Sequence, residues 1–257
     1  MHIRCPHCRN PIEVVDDDQL QDLTCPSCGS SFNLLPDETI SRQAVEHKTL
    51  GRFELVERIG VGAFGEVWTA RDSELDRIVA IKMPRKGQLT AEEAEGFLRE
   101  ARSAARLNHP SIVAVHEVGK EDDQLFIVSD YVRGLTLADW LTGKRPSPKE
   151  AAELCAKIAD AVQHAHENGV IHRDLKPSNV IFEDDQGVKV MDLGIALPLD
   201  DLLRLSRTGE FVGTALYSAP EQLTPRNAGL DGRADLYGLG MLLYELATGM
   251  HPMPSGG

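Results

Sequence analysis

The sequence predicts an α+β fold preceded by a small metal-binding module, on three observations. Two Cys-x-x-Cys pairs lie near the amino terminus. Residues 53–83 alternate apolar and polar around a cluster of glycines, the pattern of strands. Farther along, apolar stripes at helical spacing follow N-cap signatures. The 257 residues suffice for one large domain or two smaller ones with a real core.

The cysteine module comes first. Cys5-Pro6-His7-Cys8 and Cys25-Pro26-Ser27-Cys28 are separated by sixteen residues, the two-knuckle spacing of a zinc ribbon. Two residues between cysteines form a tight turn that aims both sulfurs at one point. Two such knuckles supply four thiolates in a tetrahedron, which suits a structural Zn²⁺ closed to substrate. His7 lies inside the first turn and is not a fitting fifth ligand. Pro11–Val15 alternates like a strand, and Ser31–Leu34 reads as a returning one. A redox pair is the competing reading, but the βαβ context of such motifs is missing. The module is therefore assigned to residues 1–35, with metal supplying much of its folding energy. Residues 36–52 are polar and aperiodic and read as a linker to a second domain, 53–257.

Composition narrows the function. With 27 Lys+Arg against 40 Asp+Glu, the formal charge is −13, so a protein that coats nucleic acid is not expected, although a local basic pocket is compatible. At 42 % hydrophobic and 26 % charged, the chain is globular rather than disordered. No apolar run reaches the ~18 residues that span a bilayer. Leu236–Ala247 comes nearest and contains Glu245. The start, Met1-His2-Ile3-Arg4, lacks the apolar region of a secretory signal. A cytoplasmic, reducing setting is expected, so the five cysteines need an explanation other than disulfides.

In the second domain, Phe53, Leu55 and Ile59 lead into Gly60-Val61-Gly62-Ala63-Phe64-Gly65. A dinucleotide loop would open a helix, but strand-like Glu66-Val67-Trp68 follows, so the glycines join two antiparallel strands. No Lys-Ser/Thr follows the last glycine, which excludes a P-loop. Glycines let backbone N–H groups approach a triphosphate closely. Lys82 ends the apolar strand Ile78-Val79-Ala80-Ile81 and either snorkels from the core or meets an anion. Thr90-Ala91-Glu92-Glu93 is a capping box opening a helix towards Leu107 that carries Glu100. Ser147-Pro148-Lys149-Glu150 opens another, with Ala151, Cys155, Ile158, Val162 and Ala165 as its apolar stripe. Cys155 sits in that stripe and reads as core, not nucleophile.

The densest polar chemistry is His172-Arg173-Asp174-Leu175-Lys176-Pro177-Ser178-Asn179, followed by Met191-Asp192-Leu193-Gly194. Asp174, Asn179 and Asp192 carry hard oxygen atoms of the kind Mg²⁺ accepts beside phosphate. With Val79-Ala80-Ile81-Lys82 and Ala219-Pro220-Glu221, this ordered set resembles a eukaryotic-type serine/threonine protein kinase of the bacterial branch. The resemblance runs from about Phe53 to the end. It implies a bilobal protein-kinase fold, with a β-rich N-lobe over 53–132 and a helical, partial C-lobe over 133–257.

The resemblance also implies roles. Lys82 should hold the α/β-phosphates and pair with Glu100. Asp174 should serve as catalytic base and Lys176 should steady the γ-phosphate, which points to Ser/Thr hydroxyls of protein substrates. Asn179 and Asp192 should hold Mg²⁺. ATP should lie against Ile59, Gly60, Gly62, Gly65, Val67 and Ala80, with the hinge at Asp130-Tyr131-Val132 and Ser129 as gatekeeper. Thr214 should shape the substrate pocket, and Asp235 should brace the catalytic-loop backbone. Arg173 beside Asp174 implies activation-loop control, with Ser206 or Thr208 as the candidate site of autophosphorylation between associating copies.

Two departures stand out. Leu193 replaces the usual Phe, a swap that still packs under the helix carrying Glu100. The chain also stops after Thr248-Gly249-Met250-His251-Pro252 and a few more residues, short of the family's last helices. Glu221 would then lack its usual arginine and apolar surface would be exposed, so poor solubility or low activity is expected of this chain alone. Membrane attachment is expected only if a segment follows Gly257. The competing functions are an ATP-binding pseudokinase or scaffold docking through the zinc knob, and a zinc-dependent nucleic-acid binder. The acidic balance weighs against the last.

Overall fold

The computed structural model describes residues 2–4, 11–13, 23–24, 31–32, 48–62, 65–85, 89–183, 187–194, 216–223 and 230–253. The chain divides into two compact units, Met1–Glu46 and His47–Gly257. In the first, strand β1 (His2–Arg4) pairs antiparallel with β2 (Pro11–Glu13), and β3 (Leu23–Thr24) with β4 (Ser31–Phe32). Each pair is joined through one Cys-x-x-Cys stretch. The four cysteines themselves lie outside the described residues.

The second unit opens on a six-stranded sheet. Its strands are β5 (Thr49–Leu50), β6 (Phe53–Gly62), β7 (Gly65–Asp72), β8 (Arg77–Pro84), β9 (Val115–Glu121) and β10 (Gln124–Asp130), in the order β5-β6-β7-β8-β10-β9. The glycine cluster does join two antiparallel strands, with Gly62 opposite Gly65. Strand β5 falls within the stretch read from sequence as linker. Its one buried side chain, Leu50, is too short a signal to register as a strand period. Alternation on β8 buries Val79, Ile81 and Met83 with Phe53, Ala70 and Phe126, and turns Ala80 and Lys82 to the other face. Helix α1 (Ala91–Ala104) packs on β9 and β10, with Ala101 against Ile127. Its capping box forms as the sequence implies: Thr90 Oγ1 accepts from Glu93 N and Thr90 N donates to Glu93 Oε2.

The remainder is mostly helical. It holds β11 (Gly134–Thr136), α2 (Leu137–Gly143), α3 (Pro148–Glu167), the hairpin β12 (Val180–Glu183) with β13 (Gly187–Val190), and α4 (Arg233–Thr248). Helix α3 starts on the Ser147–Glu150 capping box with Pro148 in its first turn. Its stripe of Ala151, Cys155, Ile158, Val162 and Ala165 is buried beside Leu242 and Leu246 of α4. Helix α4 ends on left-handed Gly249. One of its faces leaves Leu236, Leu243 and Tyr244 at 59 %, 43 % and 46 % exposed. Among the described residues, no helix is long and apolar enough to cross a membrane.

Cys155 illustrates what this core does to chemistry. Burial pushes its thiol up to about 11, so only about one in a thousand is ionised near pH 8. Mass spectrometry should find Cys155 unalkylated by iodoacetamide in the folded chain at that pH and fully alkylated once denaturant is added.

Candidate active site

The site is assembled from both halves of the second unit. On the sheet, cross-strand register puts Val67 and Ile127 opposite Lys82, and Thr69 and Ser129 opposite Ala80. Directly opposed residues share a face, so Val67, Ala80, Lys82 and Ser129 line one surface. Gly65 has φ +136°, and a Cβ there would lie 2.0 Å from the Met83 carbonyl oxygen. Only glycine lets the loop return this close to β8. Ile59 is exposed at the loop's base, and Gly60 lies beside Val67. Strand β10 ends at Asp130, whose N–H donates to Ala114 O and whose carboxylate meets His116. Val132 follows, half-buried, where the chain leaves the sheet.

The polar loop is held from beneath by α4. Asp235 is 1 % exposed. Its Oδ2 accepts from His172 N at 2.8 Å and its Oδ1 from Arg173 N at 2.7 Å. This is the bracing contact that the sequence implies. A third partner, His166 Nε2 at 2.7 Å from Oδ2, was not foreseen. It comes from the last turn of α3, where a histidine reads merely as a complement to the helix dipole. Gly232 makes room for it, since a Cβ there would sit 2.6 Å from the imidazole. Arg173 adopts φ +66°, a left-handed conformation that costs about 1–3 kcal/mol and persists only where its surroundings impose it.

Beyond that turn the loop delivers its chemistry. Asp174 Oδ2 accepts from Lys176 Nζ at 2.8 Å and from Asn179 Nδ2 at 3.1 Å. Asn179 Nδ2 also donates to Asp174 O at 2.8 Å, which orients the side chain and leaves its amide oxygen as the hard donor. Val180 pairs with Val190 across the hairpin, and Met191 N donates to Asn179 O at 3.0 Å. Asn179 and Asp192 thus sit at adjacent ends of one hairpin. Asp192, at φ +60°, makes an ion pair with Lys82 at 2.9 Å. Burial opposes its charge, but attraction and a hydrogen bond from Lys82, with His172 and Lys176 nearby, hold its carboxyl below the usual range.

One expected contact takes a different form. Glu100 does not pair with Lys82; its Oε1 accepts from Arg173 NH1 at 2.5 Å. Two anions, Glu100 and Asp192, face two cations, Lys82 and Arg173, and Asp192 has taken the lysine. Leu193 is 4 % exposed and belongs to the helical half's core cluster, which reaches Leu107 just past α1. Glu221 is exposed, so no buried carboxylate is stranded there. Sequence reading also passed over Gln222, which is 7 % exposed and bonds to Arg173 O. Tyr217 donates to Glu245 of α4, and burial together with this bond pushes its phenol up. Ser206, Thr208 and Thr214 lie outside the described residues, as do the four metal-knuckle cysteines. Among the described residues, no cluster of three or more His, Cys, Asp or Glu could hold a metal ion.

Residues 53–257 match the family described as protein kinase domain, and the chain belongs to that family. Among its relatives is the serine/threonine-protein kinase PrkC of Bacillus subtilis, 40 % identical over 204 residues, covering 79 % of this chain and 31 % of PrkC. The serine/threonine-protein kinase PknB of Mycobacterium leprae is 42 % identical over 209 residues, covering 78 % of this chain and 33 % of PknB. The chain thus spans about a third of the length of these relatives. Among solved structures, the Mycobacterium tuberculosis PknI kinase domain superposes with a TM-score of 0.67 at 30 % identity, covering 80 % of this chain and 78 % of that one. The curled sheet and helical half described above are those of the protein kinase fold.

The depressed Asp192 has a titration consequence. Its folded value lies below its unfolded one, so it contributes stability above an unfolded value of about 3.9 that is lost as pH falls through the folded value. Removing the ammonium with Lys82→Met should move the Asp192 titration upwards. Carboxyl-carbon NMR across acid pH would read this, and an unmoved titration would refute Lys82 as the main cause.

Proposed function

We propose that this chain is the ATP- and Mg²⁺-dependent catalytic domain of a bacterial serine/threonine protein kinase. The observation that carries the reading is the convergence of Asp174, bonded by Lys176 and Asn179, with Asp192 paired to Lys82. The donor set fits Mg²⁺: a carboxylate and an amide oxygen, hard ligands on one hairpin, of the kind Mg²⁺ takes alongside phosphate oxygens. When bound, Mg²⁺ neutralises charge on the transferring phosphoryl group. The chain's own residues do the rest.

Lys82 supplies positive charge to the α/β-phosphates, beside a purine surface of Ile59, Val67 and Ala80 and a hinge at Asp130 and Val132. The backbone of Gly60, Gly62 and Gly65 covers the phosphates. Asp174 orients the attacking hydroxyl and accepts its proton, and Lys176 shields the γ-phosphate. Lys176 also favours Ser/Thr hydroxyls of proteins as acceptors. Glu100 belongs to the same machinery as the partner of Lys82, a pairing that requires it to release Arg173. A phosphate on Ser206 or Thr208, placed by one copy on another, would compete with Glu100 for Arg173 through charge-assisted bonds. The scaffold reading is weaker, since every reactive group is present.

The finer domain reading is also a proposal. The two strand pairs flanking residues 5–10 and 25–30 support a zinc ribbon built on Cys5, Cys8, Cys25 and Cys28. A tether to the membrane would come from sequence beyond residue 257.

Two measurements test these readings. Radiolabel transfer from ATP to a protein acceptor should be present in the full chain. It should fall about 10²–10⁴-fold in Asp174→Asn and comparably in Lys82→Met. Transfer that survives both changes would exclude the assignment. Elemental analysis should find one zinc per chain and none in a Cys8→Ser/Cys28→Ser variant.

A further inference from the structure

Gln222 lies in the short 3-10 turn Pro220–Leu223 and is 7 % exposed. Its Oε1 accepts from Ala219 N at 2.9 Å, within its own turn. Its Nε2 donates to Arg173 O at 2.7 Å, across 49 residues of sequence. The two bonds fix the amide's orientation. A backbone N–H can only donate and a carbonyl can only accept, so the oxygen must face Ala219 and the nitrogen must face Arg173. Glutamate has the same shape but would present a carboxylate oxygen to the Arg173 carbonyl.

The tethered peptide is the one leading into Asp174. Arg173 is left-handed at φ +66°, and its N–H is held by Asp235 at 2.7 Å. On the other side, Asp174 N donates to His172 Nδ1 at 3.3 Å, a longer bond. Gln222 therefore supplies the shorter of the two restraints on the Arg173–Asp174 peptide plane. If that plane rotated, the Asp174 carboxylate would swing away from Lys176 and Asn179.

We propose that Gln222 is a positioning residue: its side-chain amide locks the Arg173–Asp174 peptide and so fixes where the catalytic carboxylate is presented. The turn at 220–223 is thereby coupled to the catalytic loop by a buried side chain. The role as stated rests on the kinase reading, whereas the peptide lock does not.

The test uses the full chain with Gln222→Glu, which keeps the bond to Ala219 and deletes the donor, and Gln222→Met, which deletes both without adding charge. Amide hydrogen exchange over 172–174 should accelerate at least tenfold in each, with α4 unchanged. The kcat should fall at least tenfold, further in Gln222→Glu, while KM for ATP stays within twofold, because Gln222 touches neither Lys82 nor the glycine strands. Unchanged exchange at 172–174, or a kcat within threefold of the parent, overturns the proposal. So does loss of α4 protection in both variants, which would make the residue merely structural. A parent chain that transfers no phosphate would count against the kinase reading alone, and the exchange measurement would still decide whether the lock exists.

Discussion

The geometry of the candidate site hangs on one buried carboxylate. Asp235 sits on the first turn of α4 with 1 % of its surface exposed. Burying an ion costs several kcal/mol unless its lone pairs are filled. Here two backbone N–H groups and the His166 imidazole fill them. The bonds run both ways in consequence. They make the buried charge tolerable, and they hold Arg173 in a conformation it would not adopt by itself. Asp174, the next residue, inherits its position from that turn. Gly232 belongs to the same arrangement, because a side chain there would displace the His166 ring.

The second constraint is a pairing among four charges. Lys82 and Arg173 are cations; Glu100 and Asp192 are anions. The structure pairs Lys82 with Asp192 and Arg173 with Glu100. The family resemblance implied Lys82 with Glu100 instead. Both patterns neutralise the same charges, so the difference between them is small compared with leaving any one unpaired. Sequence can identify such a set of four but not its pairing, which depends on how α1 is placed against the loop.

Much of the rest was legible because chemistry restricts residue type. A glycine at 65 is forced by the approach to Met83, and a capping box at Thr90 or Ser147 is a local pattern with one meaning. The hairpin uniting Asn179 with Asp192 is absent from the sequence reading, although two short apolar runs flank polar residues there. Other features carried no signal. Strand β5 offers one apolar residue, too few for a period. Gln222 is a neutral polar residue after an acidic one and acquires meaning only from a carbonyl 49 positions earlier. His166 likewise matters only because α3 and α4 pack together. Long-range bonds of this kind have no periodicity and no motif.

Net charge is the clearest case of a global number hiding a local arrangement. The chain carries −13, yet Lys82, Arg173 and Lys176 gather in the cleft beside Asp174, Asp192 and Glu100. Each cation there already has a carboxylate partner, so the cleft is close to neutral as it stands. A polyanionic ligand entering it must draw cations away from those carboxylates, and the carboxylates must then find other positive charge. Lys82 and Asp192 are the pair for which both halves of that exchange have a ready answer. The ammonium can turn to phosphate while the carboxylate turns to a divalent cation arriving with it. Either step alone breaks the Lys82–Asp192 pair and replaces only one half of it. On the proposed function, nucleotide and metal are therefore expected to bind as a coupled pair rather than independently, a consequence of the 2.9 Å contact between Lys82 and Asp192.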